Sequence, residues 1–246
     1  MTKVMQLAEA INKAKTIAVL TGAGISTASG IPDFRSKGGL YDNSELQVER
    51  ILSESYYHSN PKQFWAYFKQ IFHFNAMGGY EPNLGHTWLK ELEDSGKQVT
   101  IITQNVDGLH RRAGSSHVLE VHGTLDLAYC PKCQREYEYD ELLRDEIPRC
   151  EKDHFILKSD VVLFEGRVKH MEEALEAACS ADVFLVLGSS LTVYPLKELP
   201  YYVNRTSGIT KAIINRDPTD MDDLFDYVIQ DDITSVFTTV KSILAE

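Results

Sequence analysis

Residues 16–21, Thr-Ile-Ala-Val-Leu-Thr, have no polar face, and this constrains the fold more than any other stretch. A strand that is apolar on both sides must be covered on both sides, as in a parallel sheet packed between helices. The run passes straight into Gly22-Ala23-Gly24-Ile25-Ser26-Thr27. Glycines there allow a tight turn and a ligand approach that a Cβ would obstruct. Ser26 or Thr27 can begin a short helix whose free amides favour a diphosphate. The third glycine of the dinucleotide fingerprint is missing, with Thr27 in its place, and Pro32 cuts the helix short. The chain leaves the turn through Asp33, Phe34 and Arg35, beside the expected phosphate cradle.

The pattern then repeats. Apolar runs at 99–103, 118–121, 182–187, 211–214 and 227–229 each end in glycine or small polar residues. Those endings are Gln104-Asn105-Val106-Asp107, His122-Gly123, Gly188-Ser189-Ser190, Asn215-Arg216-Asp217 and Gln230-Asp231-Asp232. Val4, Leu7, Ala8, Ile11 and Ala14 recur at helical spacing, as do Ile233, Val236, Phe237, Val240 and Leu244, and 84–93 and 169–179 also read as helices. The alternation predicts an α/β fold with a Rossmann-like, doubly wound parallel sheet that gathers ligands at the carboxyl ends of its strands.

Two segments interrupt this plan. Residues 36–80 carry Phe64, Trp65, Tyr67, Phe68, Ile71, Phe72 and Phe74, which predicts a helical flap whose aromatic rings form either core or an apolar wall over a ligand. Residues 125–159 hold Tyr129, Cys130, Cys133, Tyr137, Tyr139 and Cys150 among many charges, which predicts a small inserted lobe. Val161-Val162-Leu163-Phe164 then returns to strand. A single domain, 1–246, thus divides into a large part (about 1–35, 81–124 and 160–246), a flap and a lobe.

Acidic residues outnumber basic ones, 36 to 25, giving a net charge of −11. This argues against nonspecific binding to nucleic acid or anionic membranes and suits basic protein partners. No apolar run approaches the roughly 18 residues of a spanning helix, and the opening residues are amphipathic rather than signal-like. Four cysteines, two of them as Cys130-x-x-Cys133, fit a reducing, cytoplasmic compartment and a metal site better than a disulfide framework.

The segments Gly22-Ala-Gly-Ile-Ser26, Gly30-Ile-Pro-Asp-Phe-Arg35, Thr103-Gln-Asn-Val-Asp-Gly-Leu-His110, His122-Gly123 and Gly188-Ser-Ser190 occur in the order and approximate spacing of one family. Across nearly its whole length the chain resembles the sirtuins, NAD-dependent protein deacylases. The resemblance implies that NAD is the co-substrate, that the acyl group of a modified protein lysine passes to ADP-ribose, and that nicotinamide is released. It implies a cofactor pocket formed by Gly22, Ala23, Gly24, Thr27, Asp33, Phe34, Arg35, Gln104, Asn105, Val106, Asp107, His122, Gly188, Ser189, Ser190, Asn215 and Asp232. Within it, His122 would be the general base toward a ribose hydroxyl and Asn105 would position a water; imidazole titrates in the range this step needs. Val162, Phe164 and Val193 belong to two segments between which a substrate peptide would add as a strand. Glu165-Gly166 departs from the family's Gly-Glu order at this point.

The family's structural zinc takes two Cys-x-x-Cys pairs. Cys130 and Cys133 supply the first, and Cys150 begins the second, but Asp153 stands where its last cysteine would be. His154, in Cys-x₃-His spacing from Cys150, can complete a Cys₃His site, with Asp153 as the other choice; the alternative is a metal-free lobe held by Tyr129, Tyr137 and Phe155. The flap lacks the Tyr-x-x-Arg pair of relatives that take acidic acyl groups, so acetyl or longer apolar groups are expected. Two rival readings follow from the same residues: protein ADP-ribosylation, and NAD sensing without turnover.

Overall fold

A computed structural model describes residues 2–33 and 47–245. The strands are β1 (Thr16–Thr21), β2 (Gln98–Thr103), β3 (Val118–Glu120), β4 (Leu127–Tyr129), β5 (Glu136–Glu138), β6 (Lys158–Ser159), β7 (Val183–Leu187), β8 (Thr210–Ile214) and β9 (Tyr227–Ile229). The helices are α1 (Lys3–Lys13), α2 (Val48–Ile51), α3 (Glu54–Ser59), α4 (Pro61–Ile71), α5 (Leu84–Asp94), α6 (Leu109–Arg112), α7 (Tyr139–Leu142), α8 (Met171–Ser180), α9 (Leu199–Asn204) and α10 (Ile233–Leu244).

Six strands form one parallel sheet in the order β3-β2-β1-β7-β8-β9. Its central strands are apolar on both faces because both faces are covered. Ile17 and Val19 pack with α1, α5 and α10 through Leu7, Ile11, Trp88, Leu89 and Phe237. Ala18 and Leu20, pointing the other way, pack with α8 and α9 through Ala174, Ala178, Leu199 and Val203. Each of the Val, Leu, Ile and Phe side chains among them, taken from water to full burial, contributes on the order of 1.5–3 kcal/mol. The chain runs outward on one side of β1 and then returns to β7 on the other. That places the topological switch point, where ligands bind in such sheets, at the carboxyl ends of β1 and β7.

The remaining elements build a second core. β4, β5 and β6 form a small antiparallel sheet, and its buried Ala128, Tyr137, Leu157, Cys130 and Cys150 join one cluster with Phe64, Trp65, Phe68 and Phe74 of the flap. The Trp65 indole donates to the Leu157 carbonyl at 2.6 Å, and the Lys69 ammonium donates to the carbonyls of Leu142 and Asp145. Flap and lobe therefore share one interior. Most of the flap's aromatic rings are core, but Phe72 also borders the cleft described below.

Two expected elements differ. The helix expected after Gly24 is instead a pair of three-residue 3₁₀ turns, ended by Gly30 at φ 91°, so its amides do not add up to a helical dipole. Residues 161–164 do not enter either sheet. The Val162 N–H donates to the His122 carbonyl and the Phe164 N–H to the Leu52 carbonyl, leaving one parallel bridge, Ser53 to Phe164.

Candidate active site

The turns after β1 and β7 lock together through glycine. The Gly22 N–H donates to the Leu187 carbonyl and the Gly24 N–H to the Gly188 carbonyl. A Cβ at Gly24 would lie 2.7 Å from the Gly188 Cα, and one at Gly188, where φ is 61°, would lie 2.4 Å from the Ile25 nitrogen. These glycines are required first by loop-on-loop packing, which brings the two turns to one rim.

On that rim opens a cleft of about 730 Å³. Gly22, Ala23, Gly24, Thr27, Asp33, Gln104, Asn105, Val106, His122, Gly188, Ser189, Ser190, Asn215 and Asp232 all line it, as do Val162, Phe164 and Val193. Phe34 and Arg35 lie outside the described residues. Asp107 borders a smaller recess of about 30 Å³ that shares Ala23, Asn105, Val106 and Phe72 with the cleft. Phe72 lines the cleft as the apolar-wall alternative expected, and Leu52 and Arg216 line it beyond the expected site residues. Arg216 sits at a strand end like the others and is open to the same reasoning; Leu52 carries no local signal.

His122 Nδ1 lies 3.1 Å from the Gln104 carbonyl oxygen. A carbonyl only accepts, so Nδ1 carries the proton and Nε2 is left as the basic nitrogen. Burial lowers the His122 pKa below its ordinary value, partly opposed by that same hydrogen bond, and this keeps the imidazole neutral. Gly123, at φ 74°, has Asp160 packed where a side chain would go, which fixes the backbone just past the histidine.

Behind the cleft a directional network holds the amides. The Asn83 N–H donates to His86 Nδ1 at 3.2 Å, so His86 Nε2 carries the proton facing Ser26 Oγ, 3.4 Å away. The Ser26 hydroxyl donates to Asp107 at 2.7 Å, and Asn105 Nδ2 donates to Ser26 Oγ and to the Gly22 carbonyl. Burial raises the Asp107 pKa, while the Leu109 N–H, the Ser26 hydroxyl and the nearby Arg112 pull it back. Among the described residues, Asn105 Oδ1 and Gln104 Nε2 are buried without hydrogen-bond partners. One is an acceptor and the other a donor, a combination satisfied by a ligand that carries hydroxyl or carboxamide groups.

Residues 22–195 match the family model described as the Sir2 family. The chain belongs to the Sir2 family. It is 51% identical over the full length of both chains to NAD-dependent protein deacetylase 2 of Geobacillus kaustophilus. It is 46% identical to an NAD-dependent protein deacetylase of Bacillus anthracis, over 95% of this chain and 96% of that one. Among solved structures, one described as Sir2-p53 peptide-NAD+ superposes with a TM-score of 0.85 at 32% identity, covering 100% of both chains.

In this Sir2 chain the lobe's metal-type cluster comprises Cys130, Cys133, Cys150 and Asp153, whose ligand atoms lie within 4.8 Å of one another. Cys133 Sγ and Cys150 Sγ are 3.6 Å apart, close to the ~3.8 Å edge of a tetrahedron with 2.3 Å zinc–sulfur bonds. Of the two candidates Asp153 and His154, Asp153 is the fourth member, and the backbone explains why. In each half, the residue three positions on donates its N–H to the first sulfur: Cys133 to Cys130 at 3.5 Å, Asp153 to Cys150 at 3.3 Å. The next residue, Gln134 or His154, donates to the carbonyl of Cys130 or Cys150 and has a positive φ of 61° or 56°. The two turns thus repeat one geometry, in which His154 matches Gln134 at the exposed exit of the turn. Among the described residues no helix is long and apolar enough to cross a membrane.

Proposed function

We propose that the chain is an NAD-dependent protein lysine deacylase acting first on acetyl-lysine, and that His122, with the unpartnered amide groups of Gln104 and Asn105 beside it on one glycine-walled rim, is the observation that carries this reading. NAD, when bound, supplies a nicotinamide–ribose bond whose cleavage leaves an electron-poor ribose carbon for the acyl oxygen. Gly22, Ala23, Gly24, Gly188, Ser189 and Ser190 would hold its phosphates and Asn215 and Asp232 its adenosine end. Gln104 Nε2 and Asn105 Oδ1 would satisfy ribose hydroxyls and the carboxamide, with Asp107 held by Ser26 to accept from the same amide. Neutral His122, its proton fixed on Nδ1, would take a proton from a ribose hydroxyl at Nε2.

An acylated peptide would lie along Val162, Phe164 and Val193, joining by backbone hydrogen bonds with little sequence preference. The acyl end of the cleft is lined by Leu52, Phe72, Val106, Val161 and Leu163. Among the described residues the only lining cation is Arg216, and it is paired with Asp232 at 3.0 Å. An apolar acyl chain therefore fits better than a carboxylated one, which would be buried without a counter-charge. Zinc, where bound, would be held by Cys130, Cys133, Cys150 and Asp153 as a structural ion, and elemental analysis of the purified protein is expected to find about one per chain. Four unpaired cysteines support a cytoplasmic location.

The test is mass spectrometry of an acetyl-lysine peptide incubated with the protein and NAD. Loss of acetyl with matched release of nicotinamide is expected. Gain of ADP-ribose on protein would favour a transferase, and release of no nicotinamide would favour a binding module.

A further inference from the structure

Residue 165 is a glutamate in a backbone conformation that suits glycine: φ is 74° at Glu165, while Gly166 after it is outside the left-handed region. Side chains other than those of Gly, Asn and Asp are disfavoured there, so the position persists because its surroundings hold it. They do so through the carboxylate. The Ser55 N–H donates to Glu165 at 3.1 Å, and the Ser55 hydroxyl lies 2.9 Å from both carboxylate oxygens. Ser55 is in the first turn of α3, two residues beyond the cap residue Ser53.

The neighbouring backbone is fastened at the same junction. The Phe164 N–H donates to the Leu52 carbonyl at 2.8 Å and the Glu54 N–H to the Phe164 carbonyl at 3.1 Å. α3 is in turn anchored to the lobe, since Lys158 grips the Glu54 carboxylate at 2.5 Å and the Tyr57 hydroxyl donates to the Ile156 carbonyl. Val161, Val162, Leu163 and Phe164 all line the cleft, Val161 and Leu163 as buried side chains and Phe164 as an exposed one. The groove wall thus takes its position from the flap, and the Glu165 carboxylate is the side chain that ties one to the other.

We propose that Glu165 is a positioning residue for the acylated peptide: by clamping Ser55 it holds Phe164 and the adjoining backbone in the register that the peptide strand needs. This rests on the deacylase reading. Charge-assisted hydrogen bonds of this kind are the stronger ones, and those to Ser55 act on the peptide side of the cleft, away from the glycine turns.

The experiment is steady-state kinetics with an acetyl-lysine peptide and NAD on wild type, Glu165→Gly, Glu165→Asn, Glu165→Gln, Ser55→Ala and the double variant Glu165→Gly/Ser55→Ala. Glycine and asparagine both remove the clamp and tolerate the backbone angle, but only glycine adds chain freedom, so agreement between them assigns the effect to the carboxylate. We expect the peptide KM to rise about fivefold in both, with kcat and the KM for NAD within about twofold of wild type. Glu165→Gln, which still accepts from Ser55, is expected to recover most of the affinity. The double variant is expected to be no worse than Glu165→Gly, because the two residues form one interaction. Thermal midpoints distinguish loss of folded protein, which lowers kcat without moving one KM selectively. An unchanged peptide KM in Glu165→Gly, an equal change in both KM values, or full additivity in the double variant would overturn the proposal while leaving the reaction in place. A wild-type protein that removes no acetyl would overturn the deacylase reading itself.

Discussion

The cleft has two rims made in different ways. The rim assigned to NAD is built from backbone: Gly22, Gly24 and Gly188 touch one another across β1 and β7, and the amides that face the cleft follow directly on strand ends. The rim assigned to the acyl peptide is built from side chains far apart in sequence, such as Trp65 with Leu157, Glu54 with Lys158 and Ser55 with Glu165. Its interior is completed by Cys130 and Cys150. The first rim follows from the register of a parallel sheet, whereas the second depends on a small core and its cysteine cluster. The two should therefore fail separately.

The largest effect is expected from Gly188→Ala. Its Cβ would meet the Ile25 backbone nitrogen at 2.4 Å in a left-handed conformation, and a backbone atom at the switch point has nowhere to move. The cost is expected to be about 3 kcal/mol or more, from overpacking and strain together. Calorimetric NAD binding should be lost even where the variant remains folded by circular dichroism; wild-type affinity would show that the two turns need not touch.

Cys150→Ala should break the other rim. Loss of a ligand from the cluster is expected to cost on the order of 2–5 kcal/mol, the size associated with losing a covalent staple. Acetyl-peptide affinity should fall while NAD affinity changes little, with both measured by titration at a temperature where the variant is folded. A parallel loss of both affinities would mean that the rims form one cooperative unit.

A more gradual effect belongs to pH. Burial holds the His86 pKa down to about 4, with Arg112 adding to the shift, and burial holds His110 well below its ordinary value. Both histidines sit behind the NAD rim, their ring centroids 4.8 Å apart. The unfolded chain takes up protons near pH 6.5 and the folded one does not, so this contribution is complete above about pH 6.5 and declines as pH falls towards 4. Each histidine contributes at most about 1.4 kcal/mol per pH unit across that window. Asp107 acts in the opposite direction, because burial raises its pKa in the folded state. Denaturant melts from pH 7 to 5 should show a falling midpoint; His86→Gln should flatten the slope, and a wild-type midpoint that rises on acidification would contradict this account.

The contrast between the rims also explains what could be read in advance. β1, β9 and α10 match the ranges expected from hydrophobic period, since the burial that selects those residues acts within each segment. The strand-end residues Gln104, Asn105, His122 and Ser189 could be placed because a parallel sheet brings every carboxyl end to one edge. Residues 161–164 read as a strand because they are apolar, but their hydrogen bonds go to His122 and Leu52, contacts that no local pattern encodes. His154 read as a ligand by spacing alone, whereas the repeated turn geometry gives that position to Asp153. The glycines were read as room for a ligand, and their first use is to let two loops meet.

The central claim is that the imidazole of His122 works as a neutral base on the NAD rim. The most direct measurement compares His122→Ala with wild type for NAD affinity by calorimetry and for acetyl removal by single-turnover mass spectrometry. The account predicts NAD affinity within about threefold of wild type and deacetylation slower by about 10²-fold or more. Deacetylation at the wild-type rate by a folded His122→Ala protein would contradict it.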